Sequence, residues 1–236
     1  RDGISKETGL LKQWPADGPP LAWKTAGLGV GFSSVAVAKG RIFTMGDVDD
    51  ACSVLALNEV DGKLIWKTAL GASDSSDRQR PGTRGTPTVD GDLVFAISPR
   101  GDLVCLDAMS GKERWKKNFP KDFNGRAPNW RYSESPLVDG DKLICSPGGT
   151  SPALVALNKR TGEVLWQASV EKLGPKGKPE PAYSGVVVSE AAGVRQYVVL
   201  LGHGVAGVRA SDGKFLWGYN QVANKTATIP TPVTRG

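Results

Sequence analysis

Short stretches of alternating apolar and polar residues, separated by glycine-containing turns, run along most of the chain. Residues 86–117 divide into four such stretches: Thr86–Val89, Leu93–Ile97, Asp102–Asp107 and Lys112–Lys117. The turn Asp90-Gly91-Asp92 between the first two is typical of a β-hairpin. Four short antiparallel strands in a period of about 50 residues predict one blade of an all-β propeller.

A glycine–tryptophan frame recurs four times and marks the end of each repeat. Each tryptophan follows a glycine by four positions: Gly62/Trp66, Gly111/Trp115, Gly162/Trp166 and Gly213/Trp217. An aliphatic residue stands nine positions before each tryptophan: Leu57, Leu106, Leu157 and Val208. The tryptophans are 49, 51 and 51 residues apart. A fixed period of roughly 40–50 residues indicates a propeller or another repeat array.

Physical chemistry assigns this frame a structural role. The glycine is expected to adopt a left-handed conformation, so that the chain reverses between the third and fourth strands. The aliphatic residue is expected to face the blade interior. The tryptophan is large and amphipathic, so it can cover the boundary between neighbouring blades while its indole N–H meets a backbone carbonyl. We therefore interpret the frame as a docking motif and not as a cofactor site.

The repeats predict one partial propeller over residues 1–236, with complete blades at about 33–68, 86–117, 134–168 and 184–219. Residues 21–25 resemble the fourth strands and predict a closing outer strand. Residues 229–236 resemble the start of the second and third repeats and predict the beginning of a fifth blade. Together they suggest half of a seven- or eight-bladed ring that continues beyond this sequence; closure by four blades alone is the alternative.

Composition narrows the classes of function. The net charge is +6, without a dense lysine–arginine run, so nucleic-acid binding is not predicted. No apolar run approaches the roughly 18 residues of a membrane-spanning helix. Three dispersed cysteines, Cys52, Cys105 and Cys145, and a single histidine predict no metal site. The acidic turn of Asp47, Asp49 and Asp50 lacks the glycine and glutamate of an EF-hand loop and is interpreted as solvated.

The motif (aliphatic)-Ala-Leu-(Asn/Asp)-x-x-(Thr/Ser/Asp)-Gly-x-x-x-Trp resembles the docking motif of pyrroloquinoline-quinone (PQQ)-type propeller repeats. That family includes quinoprotein alcohol dehydrogenases and the outer-membrane assembly propeller lipoprotein of Gram-negative bacteria. Longer stretches such as WRYSESPLVDGDKLICSPGG are similar to PQQ-like repeat proteins of planctomycete-type bacteria. The resemblance implies PQQ and calcium as possible cofactors. The family's dehydrogenases carry an adjacent cysteine pair and a calcium held by Glu and Asn near a catalytic Asp, and this sequence has no such pattern.

Loops between blades, and the turns between second and third strands, are expected to share one face at the mouth of the central funnel, where binding residues usually lie. The ligand-binding candidates are the residues before each inner strand and one turn histidine: Phe32, Arg84, Trp130, Arg131, Tyr132, Glu134, Tyr183 and His203. None is assigned a catalytic role.

Each candidate has a structural alternative. Arg84 and Arg131, placed in similar positions of successive blades, could hold a carboxylate or quinone oxygens, or could pair with Asp77 or Glu134. Trp130 could stack on a planar ring or sugar, or could anchor a loop. His203 could be a general base, but no partner is evident from sequence, so a turn histidine is favoured.

The preferred function is a non-catalytic binding or scaffolding module outside the cytoplasm, which contacts a protein, polymer or carbohydrate at its loop face. The remaining blades would come from the rest of the chain or from a second copy. A PQQ-dependent alcohol or sugar dehydrogenase and a carbohydrate-binding propeller are the alternatives.

Overall fold

The computed structural model describes residues 7–74, 81–149, 151–170 and 173–234. In these ranges sixteen strands form four separate four-stranded antiparallel sheets, and the strands of every sheet follow one another in chain order. The predicted all-β architecture of four propeller blades is therefore confirmed.

The strands are short and are joined by tight turns, as the alternating pattern predicts. Blade 1 contains β1 (Ala36–Ala38), β2 (Arg41–Val48), β3 (Ala51–Asn58) and β4 (Leu64–Ala72). Blade 2 contains β5 (Thr88–Asp90), β6 (Leu93–Ile97), β7 (Asp102–Asp107) and β8 (Glu113–Asn118). Blade 3 contains β9 (Leu137–Asp139), β10 (Lys142–Cys145), β11 (Leu154–Asn158) and β12 (Val164–Ala168). Blade 4 contains β13 (Val187–Ala191), β14 (Val194–Leu201), β15 (Gly204–Arg209) and β16 (Phe215–Tyr219).

One short helix, α1 (Phe119–Phe123), interrupts the connection between blades 2 and 3, which the sequence pattern predicts as a loop. Asn118 caps it, because its side chain accepts a hydrogen bond from the Lys121 N–H (3.1 Å). The helix ends at Asn124, which has a left-handed φ of 50°. Across the described ranges, no helix has both the length and the apolar character needed to span a membrane.

Three apolar cores lie between successive blades. Phe43 and Val54 of blade 1 pack in one cluster with Val94 and Val104 of blade 2. The equivalent clusters join blade 2 to blade 3 and blade 3 to blade 4. Because side chains alternate across a strand, the middle blades bury both faces, and stacking supplies the core that no single blade can form.

Every blade carries the same irregularity between its third and fourth strands. The register shifts at Ala56/Leu57, Cys105/Leu106, Ala156/Leu157 and Gly207/Val208. In each case a small residue lies opposite the motif tryptophan, as Ala56 lies opposite Trp66. The shift inserts one extra residue into the fourth strand, which is a β-bulge.

Two predicted strands differ from the structure. Residues 21–25 and 229–234 form no strand, while 235–236 lie outside the described residues. A strand assignment needs a paired neighbour, and neither segment has a ladder partner among the described residues. Even so, the backbone N–H of Tyr183 donates to Thr228 (3.2 Å) as that of Phe32 donates to Thr83 (2.6 Å). The segment after Thr228 thus approaches blade 4 as the start of blade 2 approaches blade 1.

Candidate functional site

The motif tryptophans of blades 1 and 2 join each of these blades to the next through one recurring hydrogen bond. Trp66 Nε1 donates to the carbonyl of Ala108 (3.2 Å), and Trp115 Nε1 donates to that of Lys159 (3.0 Å). Both acceptors stand three positions before the glycine of the following blade. Trp23 repeats the contact on blade 1 by donating to Glu59 (3.0 Å). The predicted docking of indole N–H on a backbone carbonyl is therefore present at three boundaries.

The motif glycines have the predicted left-handed φ and also a second role, which the sequence analysis did not find. Their φ values lie between 69° and 73°. Each glycine lies directly under the tryptophan of the preceding blade. A Cβ built on Gly111 would lie 2.6 Å from the ring of Trp66, and one on Gly62 would lie 2.5 Å from Trp23. The absent side chain is therefore the seat on which the neighbouring indole rests.

Two tryptophans depart from the recurring hydrogen bond. Trp166 packs on Gly213, but its buried Nε1 makes no hydrogen bond with a described residue. Trp217 belongs to blade 4, keeps 39% of its surface exposed, and donates from Nε1 to Gln196 Oε1 in its own blade (2.6 Å). The indole of Trp217 thus rests on its own blade.

At the opposite end of the blades, the connections lie across the turns between second and third strands, as predicted. Tyr132 N–H donates to Pro99 O (3.2 Å), and Arg126 N–H donates to Pro147 O (3.2 Å). Gly202 N–H donates to Glu180 O (2.8 Å) in blade 4. These contacts build one face, which we call the mouth. Residues 75–80, including the candidate partner Asp77, lie outside the described residues.

Trp130 and Tyr183 are brought together at the mouth from different connections. Their ring centroids are 5.7 Å apart at 54°, and the Trp130 backbone N–H donates to the Tyr183 hydroxyl (3.3 Å). Both side chains are half-buried. Burial raises the pKa of Tyr183, so its phenol stays neutral at pH 7. The pair forms a fixed aromatic wall, and its binding role stays a prediction.

The two arginines do not occupy equivalent positions. Arg84 stands four residues before Thr88, the first paired residue of its blade, whereas Arg131 stands six before Leu137. Arg131 Nε donates to Asp74 Oδ2 (3.0 Å), with the arginine side chain 37% exposed and the aspartate 1% exposed. Arg84 Nη1 donates to Gly82 O (3.2 Å). Arg131 therefore takes the structural alternative, with Asp74 as its partner.

Three candidates lie in the interior, contrary to the expectation that they project into the mouth. Tyr132 is packed edge-on against Phe119 (5.1 Å between centroids), and its hydroxyl donates to Pro147 O (2.8 Å). His203 is buried in its turn, where its carbonyl accepts from Asn220 Nδ2 (2.6 Å). Glu134 is also buried. The side-chain alternation of extended backbone sends Tyr132 and Glu134 inward together.

Glu134 holds a backbone group that the inner strand leaves unpaired. Its Oε1 accepts from the Ser146 N–H (2.7 Å), and Ser33 Oγ accepts from the Met45 N–H (3.2 Å) at the equivalent place in blade 1. Burial raises the pKa of Glu134 to about 7, against the lowering effect of hydrogen bonding to Ser146. Because blade 1 has a hydrogen bond at the same place, we interpret Glu134 as a structural acceptor whose carboxyl group can ionise.

The acidic turn is tied into the blade. Asp49 pairs with Lys67 (2.8 Å), and Asp47 Oδ2 accepts from the Asp74 N–H (3.0 Å). Burial raises the pKa of Asp47. Among the described residues, no three His, Cys, Asp or Glu side chains cluster as metal ligands would.

The cysteines do not fit the quinone site that the family resemblance implies. Cys52, Cys105 and Cys145 lie in β3, β7 and β10, in three different blades, and all are buried. Burial raises the pKa of the Cys105 thiol to about 12. Residues so far apart cannot form an adjacent pair beside a cofactor. The buried acid Glu134 accepts a hydrogen bond from the Ser146 N–H. The described residues therefore do not fit a PQQ site.

A cavity of about 270 Å³ opens beside the aromatic wall and was not found from sequence. Eight residues carry its polar and aromatic lining: Asn129, Lys178, Glu180, Tyr183, Asn224, Lys225, Thr226 and Thr228. Of these, only Tyr183 belongs to the predicted set, because the other seven lie in connections without repeat spacing. The cluster Asn224-Lys225-Thr226, a turn-type sequence, is the one signal that could have indicated a structured loop here.

Comparison with known proteins gives one family and several functions. The sequence model of the family described as outer membrane protein assembly factor BamB matches residues 50–230. BamB of Burkholderia pseudomallei is 29% identical over 180 residues, which cover 75% of this chain and 41% of the relative. Tetrathionate hydrolase of Acidithiobacillus ferrooxidans is 24% identical over 230 residues, which cover 92% of this chain and 40% of the relative.

A solved structure extends the fold comparison. Quinohemoprotein alcohol dehydrogenase ADHIIG from Pseudomonas putida HK5 superposes with a TM-score of 0.59 at 20% identity, covering 85% of this chain and 36% of that chain. This likeness shows the fold alone. The chain spans about two fifths of the length of the curated relatives described above.

Proposed function

The chain belongs to the family described as outer membrane protein assembly factor BamB, and on that premise we propose that it is a non-catalytic binding and scaffolding module. It acts outside the cytoplasm and contacts a protein partner through the mouth of the propeller. The family's name, an assembly factor for outer membrane proteins, supports both the compartment and the kind of partner.

One observation carries the proposal: near the mouth, the ionisable and hydroxyl groups are buried, whereas aromatic side chains are exposed. The carboxyl of Glu134 and the hydroxyl of Tyr132 are buried and engage backbone groups. Phe32, in contrast, is 60% exposed, and the Trp130–Tyr183 wall is partly exposed. Exposed aromatic surface beside cationic loops suits recognition, because aromatic residues are enriched where protein interfaces form.

The test compares photo-crosslinking from two side chains of matched exposure at opposite ends of the propeller. A benzophenone amino acid replaces Phe32 at the mouth, or Met109 in the turn between β7 and β8 (60% and 62% exposed). In cells that express the whole protein, we expect Phe32 to give a discrete adduct, identified by mass spectrometry. Met109 should give none. Equal adducts from both ends, or none from the mouth, would contradict the proposal.

A second measurement separates this function from quinone-dependent oxidation. The protein is incubated with PQQ and calcium, and absorbance and dye-linked oxidation of alcohols and sugars are followed. We expect no spectral shift at micromolar quinone. A saturable shift with substrate oxidation would replace a binding role by an oxidoreductase role.

A further inference from the structure

The cavity beside the aromatic wall is built from three separate segments of the mouth. The connection into blade 4 contributes five residues between 177 and 183, the segment after blade 4 contributes 224–228, and the connection into blade 3 contributes Asn129. Gly202, in the turn between β14 and β15, forms part of the same lining. A volume of about 270 Å³ falls just below the roughly 300–1,000 Å³ of clefts for drug-sized ligands. The cavity therefore suits one small residue or ring.

Positive charge predominates in the lining. Lys178 and Lys225 are exposed, and neither ammonium lies within 4.0 Å of a carboxylate among the described residues. Glu180 is the one carboxylate among the described lining residues. Ammonium groups bind carboxylates through charge-assisted hydrogen bonds. Two cationic residues and one anionic residue give the described lining a net charge of about +1, which attracts a singly charged acid.

The turn that carries Lys225 is fixed in place by its own side chains. Asn224 Oδ1 accepts from the N–H groups of Thr226 and Ala227, both at 2.8 Å. Asn224 Nδ2 donates to the Ala227 carbonyl (2.6 Å). Thr228 then ties the segment to blade 4 through the Tyr183 N–H. A fixed turn loses little conformational entropy when a ligand binds.

The remaining groups favour a ligand that carries hydroxyls and a ring. Asn129, Thr226 and Glu180 supply amide, hydroxyl and carboxylate groups, which can hydrogen bond to several hydroxyls at once. Tyr183 presents an apolar ring face, which Trp130 holds at a fixed angle. An acidic peptide would bring further carboxylates against Glu180 and would leave the hydroxyl-binding groups unused.

We propose that this cavity binds a single hexuronate unit of an acidic polysaccharide, with its carboxylate on Lys178 and Lys225 and its ring against Tyr183. This inference goes beyond the proposed contact with a protein partner, because it assigns a second class of ligand to the same mouth. Glu180, Asn129 and Thr226 bind the ring hydroxyls. The binding weakens at high salt, because the two lysines are exposed and their charges are screened.

The probe is trigalacturonate, titrated into the whole protein by calorimetry. The neutral trisaccharide galactotriose and an aspartate-rich hexapeptide serve as comparison ligands. We expect trigalacturonate to bind at least tenfold more tightly than either. The double variant Lys178→Met/Lys225→Met should lose at least tenfold in affinity. Lys112→Met removes an exposed lysine from a turn at the opposite end and should change affinity less than twofold.

The aromatic wall is tested separately. Tyr183→Leu should lose about tenfold for trigalacturonate, and Tyr183→Phe should retain binding because the ring face remains. Near-ultraviolet circular dichroism of each variant checks that the propeller is intact. If Tyr183→Leu does not fold, the lysine variants on the exposed loops still decide the proposal.

Three results would overturn the inference: equal affinity for the neutral trisaccharide, tighter binding of the acidic peptide, or lysine variants that bind as the parent does. The crosslink from Phe32 distinguishes this failure from failure of the proposed function. A chain that forms the Phe32 adduct but ignores trigalacturonate is a binding module without this sugar site.

Discussion

The two ends of the blades follow different rules. At the end opposite the mouth, the same hydrogen bond from an indole to a carbonyl and the same packing of tryptophan on glycine recur from blade to blade. Trp66 on Gly111 and Trp115 on Gly162 are the examples. At the mouth, the connection between blades 2 and 3 contains a helix and reaches Asp74 of the preceding connection through Arg131, whereas the connection into blade 4 lines a cavity. Repetition builds the scaffold, and departure from it supplies the surface on which function depends.

The largest expected effect comes from removing a docking indole at the end opposite the mouth. Trp115→Ala removes an indole that packs on Gly162, contacts Phe95 (6.1 Å between centroids) and bonds to Lys159. We expect it to lower the free energy of unfolding by about 3–4 kcal/mol, within the range for truncating large aromatic residues. Trp217→Ala is the matched control. Its indole is 39% exposed and rests on its own blade, so about 1–2 kcal/mol is expected. Chemical denaturation measures both, and equal losses would contradict the docking interpretation.

The glycine seat gives the next effect. Gly111→Ala places a methyl group 2.6 Å from Trp66 at a φ of 71°. Left-handed strain of roughly 1 kcal/mol adds to overpacking of about 1–3 kcal/mol, so a loss of about 2–4 kcal/mol is expected. Gly91→Ala has a similar φ of 59° but meets nothing within 4 Å. Denaturation of this control should show only the strain, about 1 kcal/mol. If the two variants lose the same stability, the seat contributes nothing.

The scaffold could be predicted because its signals are local and periodic. Gly111 and Trp115 stand four positions apart, and both follow from one frame in the sequence. The seat itself joins Gly111 to Trp66, which is 45 positions earlier. Such a partnership depends on how blades stack, and no spacing within one repeat encodes it.

The candidate site could be predicted only in part, for the same reason. Trp130 and Tyr183 stand before successive inner strands, and the structure brings their rings together. Tyr132 lies two positions beyond Trp130 but faces the core, because Arg131 between them has a left-handed φ of 67° and breaks the side-chain alternation of extended backbone. Lys178 and Lys225 lie in connections that carry no repeated motif. Only the folded chain places these two lysines around one cavity.

Glu134 is expected to make the free energy of unfolding depend on pH. Its folded pKa of about 7 exceeds the ordinary value of 4.5, so the folded state binds the proton more tightly. Its stabilising contribution is fully present below about pH 4.5 and is lost as the pH rises through 7. We expect the parent to unfold more easily at pH 8.5 than at pH 5.5, by about 1–3 kcal/mol.

Glu134→Gln tests this assignment, because it keeps an acceptor for the Ser146 N–H and cannot ionise. Its stability should be nearly flat over the same pH range and should exceed that of the parent at pH 8.5. Glu113→Gln, at an exposed position in β8, is the control and should keep the slope of the parent. A Glu134→Gln variant that retains the slope would place the titrating group elsewhere.

The smallest effect concerns Arg131, where the mouth combines backbone strain with an ion pair. Arg131 has a φ of 67°, which glycine adopts without strain, and its guanidinium reaches the buried carboxylate of Asp74. Arg131→Ala loses the pair and keeps the strain, so about 1–2 kcal/mol of stability should be lost, discounted because the arginine is partly exposed. Arg131→Gly loses the same pair but relieves the strain, and should unfold about 1 kcal/mol less easily than Arg131→Ala. Urea denaturation of the two variants separates the contributions. If alanine and glycine behave alike, the left-handed backbone is not strained, and the ion pair alone accounts for this residue.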